Sequence, residues 1–84
     1  MNRRAAIAIV NQLKLEGEEG ISLIEDYSGR SLGGRSTTAI AMEELDFAKI
    51  ARAWAQACVY SDDLDPSDLD YLRCDQLGMR YVVY

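Results

Sequence analysis

Two stretches of this sequence concentrate side chains able to do chemistry. The first is Ser28–Ser36, which follows Tyr27 and holds three of the chain's six glycines. Ser28, Gly29, Arg30, Gly33, Gly34, Arg35 and Ser36 gather backbone N–H groups, hydroxyls and two guanidinium groups, and Thr37 and Thr38 add two more hydroxyls. That inventory suits an anion, through bidentate arginine contacts and a nest of backbone donors. It is not a Walker P-loop, because no G-x-x-x-x-G-K-[ST] is present and no helix start follows the glycines. Beside the anion-binding reading stand two others. One is a macromolecular contact loop; the other is a plain hairpin connection whose arginines offset nearby acids.

The second stretch is the acidic run Asp62, Asp63, Asp65, Asp68 and Asp70. Carboxylates at this density invite a calcium reading, but an EF-hand loop needs glycine at its sixth position and glutamate at its twelfth. Counting from Asp63, those positions hold Asp68 and Cys74. The remaining readings are a weak, nonspecific cation site, a solvated helix start with carboxylates near the positive end of the helix dipole, and a negative patch that meets a basic protein partner. Asp26, Glu43 and Glu44 extend such a patch if the strand ends lie beside it.

The chain contains no histidine. It therefore lacks the commonest general base and the commonest metal ligand. Cys58 and Cys74 alone do not make a zinc centre, so no catalytic residue, metal or cofactor is assigned. The formal net charge is -5, from 14 acidic and 9 basic residues. Nucleic-acid phosphates repel such a chain, since binding there depends on clustered Lys and Arg, and no polybasic segment is available for an anionic membrane. A cationic protein surface is the electrostatically favoured partner. Two cysteines and no secretion signal point to a reducing, cytoplasmic setting.

Eighty-four residues amount to one domain, 1–84. Asn2 caps a helix over Arg3–Glu16, whose apolar stripe is Ala6, Ile9, Val10 and Leu13. Ile21–Tyr27 and Thr37–Glu43 read as strands joined by the glycine-rich loop. Glu44–Tyr60 is the strongest helix pattern, with Phe47, Ile50, Trp54 and Ala57/Cys58 on one face. Asp65-Pro66 signals a restart, read as a short helix to Gln76 that Gly78 stops. Met79–Tyr84 is a final strand. The expected fold is α+β, in the order α-β-β-α-α-β, with a three-stranded, mostly antiparallel sheet and helices packed on one face. Its last strand, Met79–Tyr84, would offer an edge for pairing with a second copy.

Tyr27-Ser28-Gly29-Arg30-Ser31-Leu32-Gly33-Gly34, followed by Thr37-Thr38-Ala39-Ile40, resembles a "YSGR-x-x-G" segment of small phage and mobile-element proteins. Leu72-Arg73-Cys74-Asp75-Gln76-Leu77-Gly78, with the terminal Val82-Val83-Tyr84, resembles their "LR-x-D-x-x-G" ending. The resemblance covers about a quarter of the chain and implies a binding role such as the blocking of host defences, as in anti-CRISPR proteins, within a host cytoplasm. It also implies that the last strand lies beside Ile21–Tyr27, bringing Asp75 to Arg30 or Arg35. The leading expectation is a non-enzymatic acidic inhibitor or adaptor that occupies a basic surface of a larger protein. The alternative is a binder of a phosphorylated or nucleotide-like small molecule through the loop at 28–38.

Overall fold

A computed structural model of the chain describes residues 1–29, 32–69 and 71–84. Arg30 and Asp70, both candidate site residues, and Ser31 lie outside the described residues. Helix α1 spans Arg3–Leu15. Asn2 caps it by accepting from Arg4 N–H at 2.8 Å. At its other end the Glu18 and Gly17 N–H groups return to the Leu13 and Lys14 carbonyls, with Gly17 at φ 88°. This is the glycine-closed helix end that the sequence signals. Strands β1 (Ile21–Tyr27) and β2 (Thr37–Met42) follow, then helix α2 (Phe47–Tyr60). α2 begins at Phe47 rather than Glu44 because the Asp46 carboxylate takes the N-cap, accepting from Lys49 N–H at 3.0 Å.

After α2 the structure departs from the sequence expectation. The restart at Asp65-Pro66 yields only one 3-10 turn, Pro66–Leu69. Where the helix was expected to continue to Gln76 there is a strand, β3 (Cys74–Leu77), paired antiparallel with β4 (Arg80–Val83). The physical reason is the turn between them. Leu77 pairs with Arg80 across two residues, Gly78 and Met79, and only Gly78 has a positive φ, 62°. Glycine at the first central position is the signature of a two-residue type II′ hairpin, so Gly78 joins two strands instead of ending a helix. The described residues therefore form two α-helices and a four-stranded antiparallel sheet, in the order α-β-β-α-β-β.

The strands lie in the order β1-β2-β4-β3. Two further expectations are corrected by this order. β4 does not lie beside β1, because β2 stands between them, with Ile40 opposite Leu23 on one side and Val83 on the other. β4 is also interior, flanked by β2 and β3, so Met79–Tyr84 is not a sheet edge. β1 and β3 are the edges.

Both helices cover one face of the sheet. Ile9 and Leu13 of α1, Ile50, Ala53 and Trp54 of α2, and Ile40, Met42 and Val83 of the sheet form one buried cluster. Each fully buried aliphatic side chain there contributes about 1.5–3 kcal/mol relative to exposure. β2 is buried on both faces: Ile40 and Met42 point to the helices, while Ala39 and Ala41 point away and are also buried. The helix-free face must therefore have its own cover. Among the described residues no helix is long and apolar enough to cross a membrane.

Gly78 gives a direct test of the hairpin. Nothing lies within 4 Å of where its Cβ would sit, so a substitution there meets backbone strain without a clash. Gly78→Val should lower unfolding free energy by about 1–2 kcal/mol, measured by urea denaturation.

Candidate functional site

The helix-free face is closed by its own aromatics. Tyr27, at the end of edge strand β1, packs with Ala39 of β2, Val82 of β4 and Tyr84, and Ile24 and Leu32 flank the cluster. A register irregularity between Ile24 and Tyr27 re-aims the end of β1. The Tyr27 ring packs on the helix-free face against Ala39, Val82 and Tyr84, and its hydroxyl donates to the Asp75 carboxylate on the opposite edge strand, β3. The small Ala39 side chain leaves room for the ring. Tyr27 and Tyr84 meet at a centroid distance of 5.3 Å, tilted by 42°, an arrangement worth about 0.5–1.5 kcal/mol beyond buried area.

Gly29 completes the cluster. A Cβ there would lie 2.6 Å from Asp75 Oδ2 and 2.8 and 2.9 Å from Tyr27 Cε1 and Oη. Only glycine lets the chain pass this close to the hydrogen-bonded pair. Ser28, Gly29, Asp75, Gln76 and Leu77 then line a cleft of about 430 Å³ with Tyr27. Burial, followed by the hydrogen bond and the charge of Asp75, pushes the Tyr27 phenol up to about 12. It is thus neutral and a hydrogen-bond donor at physiological pH.

The two segments singled out for their resemblance meet here, one supplying Tyr27 and Gly29, the other Asp75 and Tyr84. The partner of Asp75 among the described residues is Tyr27; no ion pair joins it to Arg35, and Arg30 lies outside the description. The contact runs across the sheet face and is made by Tyr27, not by an arginine and not between neighbouring strands as expected.

Of the remaining loop candidates, Gly33 and Gly34 take positive φ values of 58° and 85° in open space. Arg35 is exposed and Ser36 also faces solvent. The Asp75 carboxylate against Gly29 places negative charge at the Ser28–Gly29 end of the loop. An anion at that end would meet repulsion.

Asp62, Asp63, Asp65 and Asp68 are all exposed on the turn after α2. The Asp65 carboxylate accepts from Ser67 N–H at 3.0 Å, and this bond holds its pKa below the usual range. Beside the turn, the outer surfaces of α1 and α2 leave a groove of about 450 Å³. Ile7, Ala8, Leu15, Ala57, Tyr60 and Leu64 give it a largely apolar lining, with Arg4 and Asp63 as its two charged members. Leu15 and Tyr60 are 83% and 79% exposed, and Val59 beside them is 74% exposed. The sequence reading missed this groove. The signal was available in Leu15 and Tyr60, apolar residues at the ends of helices whose buried stripes lie elsewhere.

Glu43 and Glu44 do not extend the aspartate patch. With Glu18, Glu19 and Asp46 they line a separate cleft near the start of α2, about 20 Å along that helix from the turn. Lys49 pairs with Glu18 there at 2.9 Å. Among the described residues no cluster of carboxylates and thiols is arranged to hold a metal ion.

No protein-family model, curated protein or solved structure matches this chain.

Two measurements test the Tyr27 cluster. Tyr27→Phe removes a hydrogen bond to a carboxylate and should cost about 1.5–3 kcal/mol. Gly29→Ala displaces the same bond, so the double variant should lose clearly less than the sum. The pH dependence follows from the raised phenol pKa. The fold favours the neutral phenol, so its stabilisation is complete below the unfolded tyrosine value near ~10 and is lost as pH rises through about 12. Thermal melts of Tyr27→Phe should decline less steeply across that alkaline window than those of the native chain.

Proposed function

We propose that this chain is a binding protein that presents the α1/α2 groove, with the aspartate turn adjoining it, to a basic amphipathic segment of a larger protein. The observation that carries this reading is the junction of the two features. A largely apolar groove is lined in part by Asp63, with Asp62, Asp65 and Asp68 on the adjoining turn. Apolar side chains of a partner would fill the groove, and its Lys or Arg side chains would meet the carboxylates. Charge of this kind mainly speeds encounter and selects the partner, while the buried apolar contacts hold it.

The net charge of -5 supports a cationic partner and disfavours phosphate-bearing ones. A role as an inhibitor of host defences, of the anti-CRISPR kind, is consistent with this surface. That narrower role is a proposal drawn from the resemblance of two short segments. No catalytic part is assigned to any residue.

The probe is a synthetic amphipathic helix with leucines on one face and lysines on the other, titrated across a salt series. Binding should weaken with salt. It should fall at least tenfold on charge reversal at Asp62, Asp63, Asp65 and Asp68, and again for Leu15→Ser with Tyr60→Ser. Affinity indifferent to both sets of substitutions would contradict the reading.

A further inference from the structure

We infer that the β3 edge is a seam for a second copy of this chain, joined antiparallel about a two-fold axis at Cys74, so that two four-stranded sheets become one of eight strands. The seam is independent of the helix-face reading above, because it lies at the edge of the sheet.

Backbone geometry defines what this edge offers. Arg73 and Tyr84 exchange both backbone hydrogen bonds, at 2.9 and 2.8 Å. Alternation along an antiparallel ladder then directs the N–H and C=O groups of Leu72, Cys74 and Gln76 outward. β3 pairs with β4 alone, so these groups form an open edge among the described residues. The run 71–77 is long enough to carry a ladder. Tyr71, Arg73, Asp75 and Leu77 share its helix-free face by alternation, and the Arg73 guanidinium sits 4.8 Å from the Tyr71 ring centroid.

Side chains select both the occupant and the register. With Cys74 opposite Cys74 of the second copy, Arg73 falls opposite Asp75 and Tyr71 opposite Leu77, each twice by symmetry. Opposite charges and apolar pairs at directly facing positions stabilise a sheet. Tyr71 and Leu77 are 71% and 52% exposed in the single chain, and Arg73 makes no ion pair among the described residues. The Tyr27 hydroxyl holds the Asp75 carboxylate in place for this contact. Shifting the pairing by one residue per chain sets Asp75 against Asp75, a like-charge pair that opposes association. The sequence Tyr71-Leu72-Arg73-Cys74-Asp75-Gln76-Leu77 is thus complementary to its own reverse about Cys74 alone.

Sedimentation equilibrium over a concentration series tests the seam. The native chain should rise from 9.4 kDa toward twice that mass. Gln76→Pro removes an outward N–H while leaving the pairing with β4 intact, and should remain at the mass of one chain. Arg73→Asp, at an exposed position, should do the same by facing Asp75 with a like charge. Met79→Ser, on the turn beyond the seam, should leave dimerisation unchanged. Circular dichroism checks that each variant is folded; if Gln76→Pro unfolds, Arg73→Asp decides. A native chain that stays at 9.4 kDa throughout, or an Arg73→Asp variant that dimerises like the native chain, overturns the inference.

Discussion

The hydrogen bond from Tyr27 to Asp75 is the constraint on which the helix-free half of the molecule depends. It connects the two edges of the sheet, β1 and β3, across the two strands between them. A sheet with helices on one side only leaves its other face to water, and a small domain gains little from a face left open. This chain resolves the problem without a second layer. The Tyr27 ring lies over Ala39 and Val82, against Tyr84, so these side chains become buried without any helix above them. The phenol brings one polar atom into that apolar cover, and the Asp75 carboxylate satisfies it. The same bond anchors the β3–β4 hairpin, which is otherwise attached to the sheet through β4 alone.

Closing that face with the chain's own side chains leaves the outward surfaces distinct. The outer helix surfaces carry a largely apolar groove lined in part by Asp63, and the β3 edge carries alternating charge and apolar bulk. The two acidic regions sit at opposite ends of α2 and do not merge. Negative charge is therefore localised, with Lys49 and Arg52 engaged by Glu18 and Glu16 along the helix pair. These ion pairs between the segment after α1 and α2 are partly solvated and add little stability individually. Among the described residues Asp62, Asp63, Asp65 and Asp68 make no ion pair, so the aspartate turn keeps its negative charge beside the helix groove.

Most of the fold was legible in the sequence where local signals agreed. Asn2, Gly17 and the Ala6-Ile9-Val10-Leu13 stripe placed α1, and the alternation of Ile21–Tyr27 placed β1 to the residue. β3 was not legible for a physical reason. Cys74-Asp75-Gln76-Leu77 has little strand propensity, and an edge strand need bury only one side. Asp65-Pro66 is a true helix-start signal, but its helix is cut to a single 3-10 turn by the demand of β4 for a partner. Gly78 fits both a helix stop and a type II′ turn. Only the two-residue spacing between Leu77 and Arg80 separates these readings.

The candidate site was legible in part. The acidic turn is visible as a charge run, but the sequence reading gives Asp75 an arginine partner and not Tyr27. Sequence could not show that Tyr27 would meet Asp75, since that depends on the small side chain at Ala39 and on the register shift after Ile24, which re-aims the end of β1 over the helix-free face. The helix groove arises from the packing of α1 on α2, which no single segment encodes.

Amide hydrogen exchange on Tyr27→Phe tests the central claim most directly. If the Tyr27–Asp75 bond anchors the hairpin, the β3 amides of Asp75 and Leu77 should lose protection first and most, while those of α1 and β2 stay protected. Uniform loss across the sheet, or unchanged protection in β3, would contradict the account.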